Sequence, residues 1–262
     1  MSKLLDDLLT DLRAEGNQLF NVVSGLDADG WRTPTPAEGW DISTQIAHLL
    51  WTDEVAVVAA SDKDAWDDLV LQAIGDPDGF VDASAHQVAR LAPQALLVRW
   101  GSARESLGQA LRELPDGQKM PWFGPPMSAA SMATARFMET WAHALDVYDA
   151  LGIGPTPTDR IRHVAHLGVR TRNFAFSVHE LEPPAEEFRI DLISPSEEQW
   201  TWGPENARQT VTGSAYDFCL LVAQRVHRDD TDLQAHGPDA EKWLTIAQAF
   251  AGPAGEGRAP RG

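Results

Sequence analysis

The sequence predicts an α+β protein in which a four-helix bundle precedes a smaller mixed module. Three observations carry that reading. Apolar residues recur at helical spacing through about residue 150. A proline-rich break follows at Gly154-Pro155-Thr156-Pro157. Beyond Pro183-Pro184 the period changes, and Phe188-Arg189-Ile190-Asp191-Leu192-Ile193 alternates as a strand does. The boundaries drawn from this are a bundle over residues 1–153, a second module over 158–252, and a disordered Gly/Pro/Arg-rich tail over 253–262.

Each element has its own warrant. Leu4, Leu5, Leu8, Leu9, Leu12, Leu19, Phe20 and Val23 give a first helix from residue 3 to about 24. Two prolines and a glycine between Trp31 and Trp40 break it, and Asp41 can cap a second helix reaching about Ala60. A shorter acidic helix fits Asp62 to Ile74, and Gly75-Asp76-Pro77-Asp78-Gly79 reads as a turn. A long helix has Pro93 in its first turn and Leu96, Leu97, Trp100, Leu107 and Leu111 on one face. Ser128 caps a fourth long helix that stops at Leu151-Gly152. In the second module, Thr158 opens a helix through His163, His166 and Phe174 to about Leu181. Strands are expected at 188–193, 198–202 and 208–212. Ser214 caps a helix carrying Phe218 and Leu221, and a last helix covers Ala240 to Phe250.

Composition narrows the function classes. Twenty-one Lys and Arg against 39 Asp and Glu give a formal charge of −18. Such a chain is repelled by phosphate backbones and anionic lipid surfaces, so neither nucleic acid nor membrane is an expected partner. No stretch reaches the roughly 18 uncharged apolar residues of a membrane span. The start, Met1-Ser2-Lys3-Leu4-Leu5-Asp6, is amphipathic and acidic rather than leader-like. With the single cysteine, Cys219, set in an apolar run, it points to a reducing, cytoplasmic setting. P-loop, GxGxxG, HExxH and GxSxG patterns are missing from the sequence, so nucleotide cofactors and serine hydrolysis have no support.

The chemistry-bearing signal is Glu139-Thr140-Trp141-Ala142-His143-Ala144-Leu145-Asp146. On a helix, positions i, i+4 and i+7 share a face, so Glu139, His143 and Asp146 form one stripe. Phe137, Met138, Trp141 and Leu145 flank it, which argues against full exposure. His48 has a similar apolar setting among Ile46, Leu49 and Leu50 on the second helix. Two histidines and a glutamate from facing bundle helices make a three-ligand divalent metal site with an open position, as catalytic zinc has. Asp146 is either a fourth ligand, an acceptor for a ligand imidazole's N–H, or a solvated helix-face aspartate. Asp53, five residues after His48, falls off its face. His163 and His166, at i and i+3, read better as a partly buried or surface pair than as ligands.

Two strings carry a family resemblance. Glu38-Gly39-Trp40-Asp41-Ile42-Ser43-Thr44-Gln45-Ile46-Ala47-His48-Leu49 resembles the first histidine segment of the mycothiol-dependent maleylpyruvate isomerases. The Glu139–Asp146 string resembles that family's second metal segment, Glu-x3-His-x2-Asp. The likeness implies a DinB-like four-helix bundle and a C-terminal module akin to sterol carrier protein folds. It implies zinc, or another divalent metal such as nickel, held by His48, Glu139 and His143. Mycothiol or a similar thiol would be the cosubstrate. The family's C-terminal module ends a helix with an arginine that faces the zinc pocket and holds a substrate carboxylate; Arg225 is the match. The family's Gly-Arg pair is Gln224-Arg225 here. Trp200-Thr201-Trp202-Gly203-Pro204 and Ala247-Gln248-Ala249-Phe250-Ala251-Gly252-Pro253 resemble an uncharacterised actinobacterial branch of the group.

The expected function is therefore a metal-dependent enzyme that activates a low-molecular-weight thiol. The thiolate would attack a small, anionic electrophile, for isomerisation or S-transfer. Two alternatives stand beside it: a zinc hydrolase in which bound water takes the same open position, and a metal- or small-ligand-binding protein without turnover, for which the sterol-carrier-like module and the Trp-rich composition leave room.

Overall fold

The computed structural model describes residues 3–77, 79–255 and 257–261. Met1 and Ser2, Asp78 of the expected turn, and Glu256 and Gly262 of the expected tail lie outside the described residues. The chain forms two compact units, Met1–Pro155 and Thr156–Gly262.

The first unit is helical. α1 (Lys3–Val23) buries Leu5, Leu8, Leu9, Leu19 and Val23 along one stripe. α2 (Ile42–Ser61) starts at Asp41, whose carboxylate accepts the Thr44 N–H at 2.8 Å. α3 (Lys63–Gly75) starts at Asp62 in the same manner, accepting from the Ala65 N–H at 3.0 Å. α4 (Phe80–Val88) is a short helix that the apolar spacing does not announce, because Ala85 alone among its residues is fully buried. α5 (Pro93–Glu113) begins on proline, which supplies helical φ and has no N–H to leave unpaired.

β1 (Lys119–Met120) and β2 (Met127–Ser128) make a two-residue antiparallel pair that pins the loop before the last helix. α6 (Ala129–Ala150) is capped by Ser128, whose Oγ accepts the Ser131 N–H at 3.2 Å. It ends where Gly152 takes φ +65, with the Ile153 N–H on the Tyr148 carbonyl at 2.8 Å. α2 is apolar around most of its circumference and accordingly sits centrally, packed against α3, α4, α5 and α6. Around it, Leu19, Trp31, Ile42, Ile46, Leu49, Leu96, Trp100 and Val147 form one end of the core. Leu5, Leu9, Val55, Ala56, Leu107, Leu111 and Met132 form the other.

The second unit is mixed. α7 (Arg162–Arg170) and α8 (Arg172–Val178) stand where one helix to about Leu181 is expected. Thr171 divides them: its hydroxyl donates to the Gln248 carbonyl at 2.7 Å and lies against the Leu167 and Gly168 carbonyls. Thr158 makes no side-chain cap, and a 3-10 turn at Asp159–Ile161 precedes α7.

β3 (Phe188–Ile193), β4 (Gln199–Trp202), β5 (Gln209–Ser214) and β6 (Gln234–His236) form a sheet of order β4-β3-β5-β6. The central pair β3–β5 is parallel and both outer pairs are antiparallel. The chain crosses from β4 to β5 over the Phe188 carbonyl, and Gly203, at φ +78, leaves no space there for a side chain. α9 (Ala215–Val222) starts at Ser214, whose Oγ accepts the Tyr216 and Asp217 N–H groups. α10 (Pro238–Ile246) stops four residues short of Phe250. The buried Gln248 amide donates there to the carbonyls of Phe250, Gly252 and Pro253, which bends the chain out of the helix. Phe188, Ile190 and Leu192 point into a core with Phe218 and Trp243. β6 is three residues long and polar at both ends, so sequence alternation does not mark it.

Candidate metal centre

α2 and α6 bring the chemistry together. His48 lies in the second turn of α2, and Glu139 and His143 lie one turn apart near the middle of α6. Glu139 Oε2 is 3.2 Å from His143 Nε2 and 3.5 Å from His48 Nε2. One ligand atom from each of the three residues lies within 4.8 Å of the others. Donors bound tetrahedrally at about 2.0–2.1 Å stand about 3.3–3.4 Å apart, so the two Glu139 separations match a single zinc-sized cation. The donor types, two imidazoles and one carboxylate, also suit zinc and related divalent ions. Among the described residues this is the group of three or more His, Cys, Asp or Glu with that convergence.

The protonation states agree with this chemistry. Burial, followed by the neighbouring His143, lowers the His48 imidazole to about 4. For Glu139, burial alone would raise the carboxyl; the adjacent His143 and His48 rings outweigh it and hold the group well below its ordinary value. At neutral pH the cluster thus presents an uncharged His48 and an ionised Glu139, the forms that bind metal.

The surroundings come from the loop before α2 and from two helices. The Trp40 indole stacks on His143, with ring centroids 5.8 Å apart and planes 16° apart, and lies 5.3 Å from the His48 ring. Gln45 is fully buried on α2 and receives His143 Nδ1 on its Oε1 at 2.5 Å. His48 Nδ1 is buried without a hydrogen-bond partner among the described residues, so that ring is engaged through Nε2. Beneath the cluster, the buried Arg136 of α6 donates from Nε to Asp53 Oδ1 of α2 at 2.9 Å, and Trp100 Nε1 of α5 donates to Asp53 Oδ2 at 3.3 Å.

The expected site residues are placed as follows. His48, Glu139 and His143 converge. Asp146 is buried further along α6 and lies outside the converging group. Arg225 belongs to the second unit, just past α9. There its N–H bonds the Leu220 carbonyl at 2.8 Å and the Gln224 N–H bonds the Leu221 carbonyl, closing a left-handed helix stop. Gln224 has φ +56, a backbone that glycine adopts freely. The Arg225 guanidinium donates to the Ala223 carbonyl at 2.7 Å. His166 Nδ1 accepts the Trp202 indole N–H at 3.3 Å, which makes it part of the second unit's own packing.

Sequence reasoning passed over Gln45, Thr35, Trp40, Arg136 and Asp53 as site residues. Gln45 carried a signal, since it stands three residues before His48 and shares its face. Asp53 lies off that face; its partner is the buried Arg136, on a different helix.

A helical bundle with a His2Glu cluster between two of its helices, followed by a smaller sheet-containing unit, defines the class of protein. The model of the mycothiol maleylpyruvate isomerase N-terminal domain matches residues 12–148, more than half of the chain, and the protein belongs to that family. Two uncharacterized proteins of Mycobacterium tuberculosis, one from strain CDC 1551 / Oshkosh and one from strain ATCC 25618 / H37Rv, are each 55% identical to it over 250 residues. The alignments cover 95% of this chain and 97% of theirs. A crystal structure of the mycothiol-dependent maleylpyruvate isomerase superposes with a TM-score of 0.58 at 18% identity, covering 91% of this chain and 98% of that one. A histidine-to-alanine mutant of that isomerase superposes with a TM-score of 0.57 at 17% identity. At these identities the likeness establishes the fold. Among the described residues no helix is long and apolar enough to cross a membrane.

Proposed function

We propose that this protein is a metal-dependent enzyme that activates a low-molecular-weight thiol, such as mycothiol, toward a small anionic electrophile. The outcome is isomerisation or S-transfer. The observation that carries the proposal is the convergence of His48, Glu139 and His143 in a chain of the mycothiol maleylpyruvate isomerase family. Zinc, or another divalent ion such as nickel, bound there would hold a thiol as its thiolate at neutral pH. His48 and His143 supply nitrogen donors, and Glu139 supplies charge that a cation offsets. Trp40 covers the His143 ring and keeps water from that side. In this reading Asp146 supports the ligand set from within α6, and Arg225 pairs with the substrate carboxylate, as its family counterpart implies. The setting proposed is the cytoplasm, with thiol and electrophile as the partners.

The test is turnover of an anionic electrophile, maleylpyruvate first, by zinc-loaded protein with and without mycothiol. Turnover should require both metal and thiol. His143→Ala should keep its helix, since Ala favours helices, while metal content and activity collapse. Turnover without thiol would move the assignment to a hydrolase. Full metal occupancy in His143→Ala would overturn the ligand set. Stoichiometric metal with no turnover under any thiol would leave a binding protein.

A further inference from the structure

The hydrogen bonds behind His143 have a direction that can be read from one end. Thr35 Oγ1 lies 2.9 Å from the Trp40 carbonyl oxygen, which only accepts, so the Thr35 hydroxyl proton is spent there. Toward Gln45 the same oxygen can then only accept, and Gln45 Nε2 donates to it at 2.9 Å. That fixes the amide: its NH2 faces Thr35 and its Oε1 faces His143. Because Oε1 is an acceptor at 2.5 Å, His143 Nδ1 must carry a proton. Nε2 is then the nitrogen turned toward Glu139 and His48. Gln45 is fully buried, so water does not compete for either end of the amide.

We propose that Gln45 and Thr35 are positioning residues that fix the His143 proton on Nδ1 and so hold Nε2 as the metal donor; this rests on the metal reading above. The loop that contains Thr35 is built for the task. The Thr35 N–H bonds the Trp40 carbonyl at 2.8 Å, Pro34 bridges Asp41, and Gly39 turns the chain at φ +76. The same loop lays Trp40 on the His143 ring face. One loop thus holds the imidazole by its edge, through Gln45, and by its face. α2 supplies one ligand, His48, and orients the other through Gln45, one helical turn earlier.

The experiment has two arms. Nitrogen-15 NMR of histidine-labelled, metal-free and zinc-loaded protein at neutral pH should show a proton on His143 Nδ1 in both forms. A bare Nδ1 overturns the proposal. In zinc competition against a chromogenic chelator, Gln45→Leu should weaken affinity about 10–100-fold, the cost usual for removing a ligand's outer partner. Thr35→Val should weaken it by a smaller factor and loosen the Nδ1 proton, and Thr35→Ser should restore both. Unchanged affinity and an unchanged Nδ1 signal in Thr35→Val overturn the relay even if Gln45→Leu fails to fold. Wild-type protein that takes up no zinc removes the metal reading, and the metal-free spectrum still decides where the proton lies.

Discussion

Burial and the adjacent His143 lower the His48 imidazole from an ordinary 6.5 to about 4. In the unfolded chain the same ring takes up its proton near the ordinary value. Between those limits the unfolded state binds a proton that the folded state refuses, so stability rises with pH across that window. Glu139 acts in the same direction, further down. Its folded value lies below the ordinary 4.5, so its contribution is present above 4.5 and is lost as the pH falls through the folded value. Metal-free protein should therefore lose on the order of 3 kcal/mol from the His48 effect between pH 7 and pH 4. His48→Asn should lose much less over the same range. Urea unfolding at a series of pH values checks this; equal slopes for the two proteins would refute the assignment to His48.

At the scale of elements, the buried Arg136–Asp53 pair joins α2 and α6, the helices that carry His48, Glu139 and His143. Burial pushes the Asp53 carboxyl up, and the Arg136 guanidinium opposes that without cancelling it. A pair with so heavy a desolvation cost is a weak source of stability. Its value is register. Arg136 Nη2 also reaches the Leu49 carbonyl at 3.5 Å, the residue next to His48, so α2 is held at one height along α6. Removing one partner, as in Arg136→Ala, should cost about 3–5 kcal/mol because it strands a buried charge. The double change Asp53→Leu with Arg136→Met should recover most of that stability and still bind zinc more weakly than wild type. Denaturant melts and metal competition on the same samples separate the two effects.

The long elements were legible because the core selects them: α1, α2, α5 and α6 bury continuous stripes, and Asp41, Ser128 and Ser214 announce their helices. The convergence of His48, Glu139 and His143 was legible because Glu139 and His143 share a helix face and His48 sits among apolar neighbours. What stayed hidden depends on partners distant in sequence. Thr171 breaks a helix by bonding Gln248, 77 residues away, and Gln45 meets His143 across 98. No local spacing encodes such pairs.

At the scale of the whole molecule, the boundary falls after Pro155, and each unit has its own buried core. A fragment of residues 1–155 should unfold cooperatively and bind zinc, since all three converging ligands belong to it. Turnover should be lost if Arg225, in the other unit, holds the substrate. Calorimetry, metal titration and the thiol assay on the fragment test these points in turn; a fragment with full activity would free Arg225 of its role.

The glycine stop at the end of α6 makes the bundle self-terminating. The bundle terminates on its own residues, Tyr148 to Ile153, and the family match ends at 148, where that stop begins. The helices that carry His48, Glu139 and His143 therefore close within the first unit. All three converging side chains precede that stop, so a change after Thr156 leaves the caps and turns of their helices untouched.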